Sequence, residues 1–561
     1  MGASYASGPF GLRDGGIADL RDITLGGVRV LDGVYFSIRD RLWNPVEVRE
    51  ISPLEESRSG ETVILSWTLE SAVGAAVVRS AVTVTLSPTR IDFVATLSAS
   101  ATIDLNRIGF VVLHPLESVG RPVTFSTAAG VEGAGRFPSA ISSWQPFREL
   151  TSIDTGAVRI DFRGAAFETE DHRNWSDAGF KSYSPPLDRV PMELVRAQSV
   201  VVGVSVVAAA RPSATDAGVA PRPDGVTVKV GHARAGRLPT LGIGASRAGT
   251  APEVPPFAPA FLSVEVTTTD VGRRRLYQAF AEAGSWRAPL DVLLVSDGLP
   301  DSRWLDLLAD LAPAIRRLSL VDAASGMSSP ELLDATRAGL LRRRADRLAG
   351  SVGGGARGYF AELGRSRDVI APHDPVRFAL SPAVHHTDPE RILDTTRSLG
   401  YLARDARAIA AGGYVTVAPI TFAQRLSIHE VDGDEYGPYS DRYPQDVRES
   451  EQLGATWAIA AIAGLQSVDA VSIFTTDSMI SHGHPTPVAT LLAELARHPQ
   501  AELIDTEVSD PRRIAALGIA TDVSPILYLA NLSSSDVFVR CGGAAVADVT
   551  VPARGTAVVR F

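Results

Sequence analysis

Five stretches of this sequence gather side chains able to move protons or hold a polar ligand. The densest is Phe167–Tyr183, FETEDHRNWSDAGFKSY, with Glu168, Glu170, Asp171, His172, Arg173, Asn174, Asp177 and Lys181 around Trp175 and Phe180. Carboxylates that accept two hydroxyls, amide donors and an aromatic face are what a polyol or sugar-like ligand requires. The stretch follows a strand and reads as a loop or short helix. If Asp177 to Lys181 is helical, their i,i+4 spacing makes them an ion pair on one face. The competing reading is a charged network that locks two domains together. Lys181 favours function, because the chain has only two lysines, Lys181 and Lys229, against 52 arginines. The Ala, Gly and Val richness points to a GC-rich genome, where a surviving lysine marks a place that wants a compact ammonium.

The second stretch is Val352–Arg365, VGGGARGYFAELGR. A strand leads to Glu362 near its C-terminal end, as a general base or acid. The competing reading is a capping acid at a strand–helix junction. The glycine run is not a phosphate loop, because no Gly-Lys-Ser/Thr follows. Third is SPAVHHTD, with His385, His386 and Asp388. A carboxylate beside an imidazole fixes its tautomer and suits an oriented base. A metal pair fits less well, since adjacent residues rarely aim at one ion. Fourth is DVRESEQLGATW, where Asp446 and Arg448 precede an apolar helix. Arg448 would hold a carboxylate or an oxyanion, unless the two are only a helix-start acid and a surface arginine. Fifth is FTTDSMISHGH, with Asp477, His482 and His484. His-x-His alone is a weak metal signal, and no Gly-x-Ser-x-Gly elbow points to a serine hydrolase.

The elements that must position these groups fall into three regions. Up to about residue 210 the chain is a series of short Val-, Ile-, Thr- and Phe-rich segments, such as Thr62–Leu69 and Arg90–Leu97, spaced as in a β-sandwich. A Pro- and Ala-rich linker is expected at 211–225. From about residue 238, eight strands alternate with helices: Thr240–Gly244, Leu262–Thr267, Asp291–Ser296, Arg317–Val321, Val352–Phe360, Val376–Ser381, Val415–Pro419 and Ala470–Thr475. That predicts a TIM-like (β/α)8 barrel. A doubly wound sheet lacks its Gly-rich fingerprint. The last 60 or so residues return to β structure, a module too small to stand alone and expected against the barrel. The predicted architecture is multidomain α/β plus β: a sandwich over 1–235, a catalytic barrel over 236–500 and a small β domain over 501–561.

Composition narrows the function classes. The chain has 561 residues and a net charge of −10, which argues against nucleic acid as a partner. Cys541 is the only cysteine, so neither an intrachain disulfide nor a cysteine zinc site is available. No basic-then-apolar leader opens the sequence, and the longest apolar run, Val200–Ala210, is too short for a bilayer. The expectation is a cytoplasmic chain with no membrane partner. The sequence does not indicate an oligomeric state.

Taken together, and in order, these stretches resemble the D-apionate lactonase family of bacterial apiose catabolism. The resemblance runs through FSIRDRLWN (Phe36–Asn44), GFVVLHP (Gly109–Pro115), FPSAISSWQPF (Phe137–Phe147), the Phe167–Tyr183 stretch, VGGGARGYFAEL, PAVHHTD and DVRESEQLGATW. It implies the same three regions and the hydrolysis of an aldonolactone, D-apionolactone, to its acid. Glu170, Asp171, Arg173, Asn174, Trp175, Asp177 and Lys181 match the motif, as do Glu362, His385, Asp388, Asp446 and Arg448. His172 stands where Gln is expected. Ser263, Gly364 and Thr475 replace an expected Arg, Asn and Glu, which bears on which lactone is used.

Lactone hydrolysis needs a base for water, an oxyanion stabiliser and an acid for the ring oxygen. Glu362 or His385 is the expected base. Lys181, Arg173 or Arg448 would meet the oxyanion, and Asp171 and Asn174 would hold hydroxyls. Glu170, Trp175, Asp177, Asp388 and Asp446 complete the expected substrate contacts. No cofactor is expected, and a divalent metal is left open. Two rivals stand beside this reading. A retaining glycoside hydrolase needs carboxyl groups ~5–5.5 Å apart; Glu362 would be one, and Thr475 removes the obvious second. A non-catalytic carbohydrate-binding relative would keep the fold without the chemistry.

Overall fold

The computed structural model describes residues 2–209, 225–246, 255–424, 445–543 and 546–561. The linker expected at 211–225 therefore lies outside the described residues, save Gly225. The chain forms two compact units. The first runs up to His172 and resumes at Gly179; the second takes Arg173–Ala178 and the chain after the linker.

Alternation of apolar and polar residues builds the first unit. Along Thr62–Val73, the side chains of Val63, Leu65, Trp67 and Leu69 are buried, as period two requires of a half-buried strand. The strands do not separate into two sheets. They are hydrogen-bonded into one sixteen-stranded sheet, which curls so that its two halves share a core. Phe110 on Arg107–His114 and Phe93 on Arg90–Ala99 are far apart in strand order, yet their rings lie 5.9 Å apart. The layering of a sandwich is present, with continuous pairing at the fold.

Within this sheet Phe167–Asp171 and Phe180–Tyr183 pair antiparallel, with Glu170 opposite Lys181. Six residues leave the unit between them. The His172 N–H donates to the Gly179 carbonyl at 3.2 Å and closes the neck. Gly179 has φ +128°, and a Cβ there would lie 2.1 Å from the His114 carbonyl oxygen. Only glycine fits.

The second unit contains a closed barrel of eight parallel strands, all at the expected places: Thr240–Gly244, Leu262–Thr267, Leu290–Ser296, Ile315–Asp322, Val352–Gly355, Val376–Leu380, Val415–Ile420 and Ala470–Thr475. The fifth is shorter than the predicted Val352–Phe360. It ends at Gly355, where φ is +126° and a Cβ would meet the Arg377 carbonyl oxygen at 2.0 Å. The glycine run thus serves close strand packing.

A seven-stranded sheet completes this unit. Gly225–Arg237, placed by sequence in the first region, pairs parallel with Val537–Gly542 and antiparallel with Glu502–Val508. The helix Gln452–Gly464 is buried nearly all round, as expected for an element covered on every side. Its Thr456 hydroxyl donates to the Arg554 carbonyl at 2.8 Å, which ties the small sheet to the barrel's helical layer. No helix among the described residues is long and apolar enough to cross a membrane.

His114 gives the first unit a defined acid sensitivity. It is fully buried, its Nε2 lies 2.8 Å from the Ser182 hydroxyl, and Nδ1 has no hydrogen-bond partner among the described residues. Burial pushes its pKa down to about 3. The unfolded chain takes up the proton near pH 6.5. Its contribution is therefore complete above that pH and is lost as pH falls towards 3. Urea unfolding of the wild type and His114→Gln at several pH values checks this. The wild type should lose about 4 kcal/mol relative to the variant between pH 7 and pH 3.

Candidate active site

The six residues that leave the sheet bring chemistry to the barrel unit. His172–Trp175 make one 3-10 turn, and the Ser176 N–H donates to the Arg173 carbonyl at 3.0 Å. Ser176 has φ +70°, a left-handed conformation that costs a non-glycine residue about 1–2 kcal/mol. The next residue, Asp177, places Oδ2 2.8 Å from His385 Nδ1. Both side chains are largely buried, 15% and 12% exposed. A carboxylate at that distance holds the proton on Nδ1 and leaves the lone pair on Nε2. Trp175 presents an edge to the His385 ring, with centroids 6.0 Å apart at 89°, and contacts Tyr359 at 5.7 Å. Ala361 and Val384 complete this apolar wall. Arg173 is fully buried with its guanidinium 4.9 Å from the Tyr401 ring centre, and Asn174 is buried beside it in sequence.

The sequence places Asp388 next to the histidines, but the carboxylate beside His385 is Asp177. Asp388 caps the helix Pro389–Asp394 and accepts from the Arg391 N–H at 3.2 Å. Glu362 lies inside the helix Phe360–Arg365 and not at a strand end, because the strand stops at Gly355. Its Oε2 accepts from the Tyr359 N–H at 2.7 Å, which is capping geometry. Its Oε1 is buried without a hydrogen-bond partner among the described residues, and burial pushes its carboxyl up from the ordinary range. Glu362 is thus a cap with one oxygen uncommitted.

Asp446 and Arg448 are brought together, with each other. Asp446 accepts from the Arg448 backbone N–H at 3.0 Å and from Nε at 2.8 Å, and Arg448 also donates to the Thr387 carbonyl. The hydrogen bond from Asp446, with its charge, raises the Arg448 pKa. The pair fastens the segment after Val376–Leu380 to the start of the apolar helix. Asp477 accepts from the Ser246 hydroxyl at 2.6 Å and the Thr475 hydroxyl at 3.3 Å. His482 and His484 lie on an exposed hairpin.

Asp177 and Lys181 are not helical neighbours, because Phe180–Tyr183 is a strand of the first unit. Lys181 is instead 3.2 Å from Glu170 and 2.7 Å from His172 Nε2. Asp171 is fully buried and accepts from the Ser142 N–H at 2.9 Å. Glu168 takes the Tyr183 hydroxyl and the Leu187 N–H, although burial pushes its carboxyl upward. Lys229 is an exposed partner of Glu507, so lysine scarcity marks one buried site of the two.

Sequence reasoning missed Ser176, Tyr359 and Tyr401, and also Glu282. Both Glu282 oxygens accept from the Ser246 N–H, at 2.9 and 3.0 Å, and burial raises its carboxyl. The left-handed Ser176 leaves no sequence signal; Glu282 could have been flagged as an acid on the buried face of Asp270–Trp286.

Comparison with known proteins adds the following. The family model described as "D-apionate lactonase, N-terminal domain" matches residues 7–211, and "D-apionate lactonase, TIM barrel domain" matches residues 305–500. A curated D-apionate lactonase of Brucella anthropi is 27% identical over 449 residues, covering 74% of this chain and 71% of that protein. Among solved structures, a bifunctional glucanase-xylanase from a metagenome library has TM-score 0.41 and 9% identity, over 60% of this chain and 99% of that one. A glucosidase from Croceicoccus marinus has TM-score 0.36 and 9% identity, over 60% and 96%. At those scores the two structures say nothing about activity.

The two lysines provide a built-in contrast. Lys181→Met removes the buried ammonium 3.2 Å from Glu170, a loss of roughly 3 kcal/mol. Lys229→Met removes an exposed pair and should cost under about 0.5 kcal/mol. Chemical denaturation of both variants measures the difference. Equal losses would mean that the buried ammonium does not hold this strand pair.

Proposed function

The chain belongs to the D-apionate lactonase family, and on that premise we propose that it opens a sugar-acid lactone, D-apionolactone or a related aldonolactone, with His385 as the base. The observation that carries the assignment is the 2.8 Å contact between His385 Nδ1 and Asp177. It leaves Nε2 basic and lets the carboxylate stabilise the imidazolium once a proton arrives. Nε2 takes a proton from water as the water oxygen bonds to the lactone carbonyl carbon. The tetrahedral oxyanion collapses, the ring C–O bond breaks, and the imidazolium returns its proton to the leaving alkoxide. The products are a carboxylic acid and a free hydroxyl, and the imidazole is restored.

The other assignments follow from position. Arg173 shares the six-residue segment with Asp177 and would meet the oxyanion. Arg448 is committed to Asp446. Asn174 and Trp175 would meet a hydroxyl and a ring face. Glu362 is assigned no base role, because its Oε2 is taken by the Tyr359 N–H in capping geometry.

Acid release from D-apionolactone and a panel of aldonolactones, with and without EDTA and corrected for spontaneous hydrolysis, tests the reading. One lactone should be turned over specifically. His385→Ala and Asp177→Asn should each lower kcat by about 10²–10⁴-fold. Turnover unchanged in both variants removes His385 as the base. Cleavage of glycosides with no lactone turned over would replace the reaction class.

A further inference from the structure

The Asp177–His385 contact depends on a residue with left-handed backbone immediately before Asp177, and that residue is held from elsewhere in the barrel unit. Ser176 is 2% exposed with φ +70°. Its carbonyl oxygen accepts from the Ser398 hydroxyl at 2.6 Å. Its own hydroxyl reaches the Ser381 carbonyl at a longer 3.4 Å. Ser398 is fully buried and shares the same proton with the Thr395 carbonyl at 2.9 Å. The turn that carries it is fixed in turn: Trp457 Nε1 donates to the Thr395 hydroxyl at 3.1 Å, and that hydroxyl donates to the Ile392 carbonyl at 2.6 Å.

We infer that Ser398 is a positioning residue: by holding the Ser176 carbonyl it fixes the left-handed turn that aims Asp177 at His385 Nδ1, and so sets the imidazole tautomer. This rests on the reading of His385 as the base, and it deepens that reading by naming what orients the orienter. Three observations converge. A serine at positive φ returns to ordinary backbone unless its surroundings prevent it. The 2.6 Å hydrogen bond falls on the peptide that joins Ser176 to Asp177, so rotation of that peptide would swing the carboxylate. Ser398 also sits 13 residues beyond His385 in sequence, beyond the helix that Asp388 caps, so carboxylate and imidazole are anchored in one local structure. The Ser398 hydroxyl is directed at the Ser176 carbonyl, so its effect on Asp177 passes through Ser176.

Nitrogen-15 NMR of histidine-labelled protein, above the range in which imidazoles titrate, reads the tautomer without substrate. His385→Gln identifies the signal. The wild type should show His385 with its proton on Nδ1. Ser398→Ala should show a mixture of tautomers, as Asp177→Asn should, with kcat lowered about tenfold and KM changed less than about twofold. Should Ser398→Ala fail to fold, Ser398→Cys keeps the size with a weaker donor and should shift the tautomer less in the same direction. A retained Nδ1 proton in a folded Ser398 variant overturns the inference. The two readings separate cleanly. If the tautomer scrambles in Ser398→Ala while His385→Ala keeps full turnover, the positioning role stands and the base assignment fails. If His385→Ala is inactive and Ser398→Ala keeps its tautomer, the reverse holds.

Discussion

Asp177 and His385 are 208 positions apart in sequence, and their 2.8 Å contact is the constraint around which the candidate site is arranged. Bringing such distant residues together has an entropic cost that grows with the logarithm of the separation. An isolated hydrogen bond of about 1 kcal/mol does not offset it. Folding of the surrounding elements must hold both ends first. On one end, the Ser176 carbonyl is held by the Ser398 hydroxyl at 2.6 Å. On the other, His385 follows a barrel strand whose backbone is paired on both sides. The contact is thus held inside the barrel unit by a paired strand on one side and, on the other, by a rigid turn whose strain sits in the Ser176 backbone.

The same rigidity explains why so many polar candidates turn out to be occupied. Asp388 and Asp446 cap helical turns, and Glu362 closes a capping box. In a barrel, the C-terminal end of each strand is also where the next helix begins. N-capping and catalysis draw on the same short acidic side chains in the same few residues. Residue type and spacing cannot separate the two uses. What separates them is which backbone N–H each carboxylate meets, and that depends on helix starts that vary by one or two residues.

The barrel itself was legible because each strand is a compact apolar run followed by an amphipathic or apolar helix, and parallel strands buried on both faces leave that signature. All eight lie where periodicity places them. The failures share a physical origin in long-range pairing. Gly225–Arg237 reads as part of the first region until its partners at 502–508 and 537–542 are known. Closure of the first sheet into one continuous ladder has no local marker either, since a strand looks the same whether its neighbour belongs to its own layer or to the opposite one. The fifth barrel strand was overextended because Gly353–Gly355 was read as strand leading onward, when each glycine accommodates a close neighbour and the last one ends the strand.

The departures from the family pattern become intelligible in the barrel's register. Gly244 pairs with Ser263 on one side and Thr475 on the other. The resemblance leads one to expect Arg and Glu at those two positions, one cation and one anion flanking a single backbone point. Here both are small hydroxyl residues. The Ser263 hydroxyl is satisfied by Ser472 at 2.7 Å and the Thr475 hydroxyl reaches Asp477 at 3.3 Å. Buried hydroxyls that are hydrogen-bonded to neighbours cost little to keep, so neither position needs an opposite charge beside it.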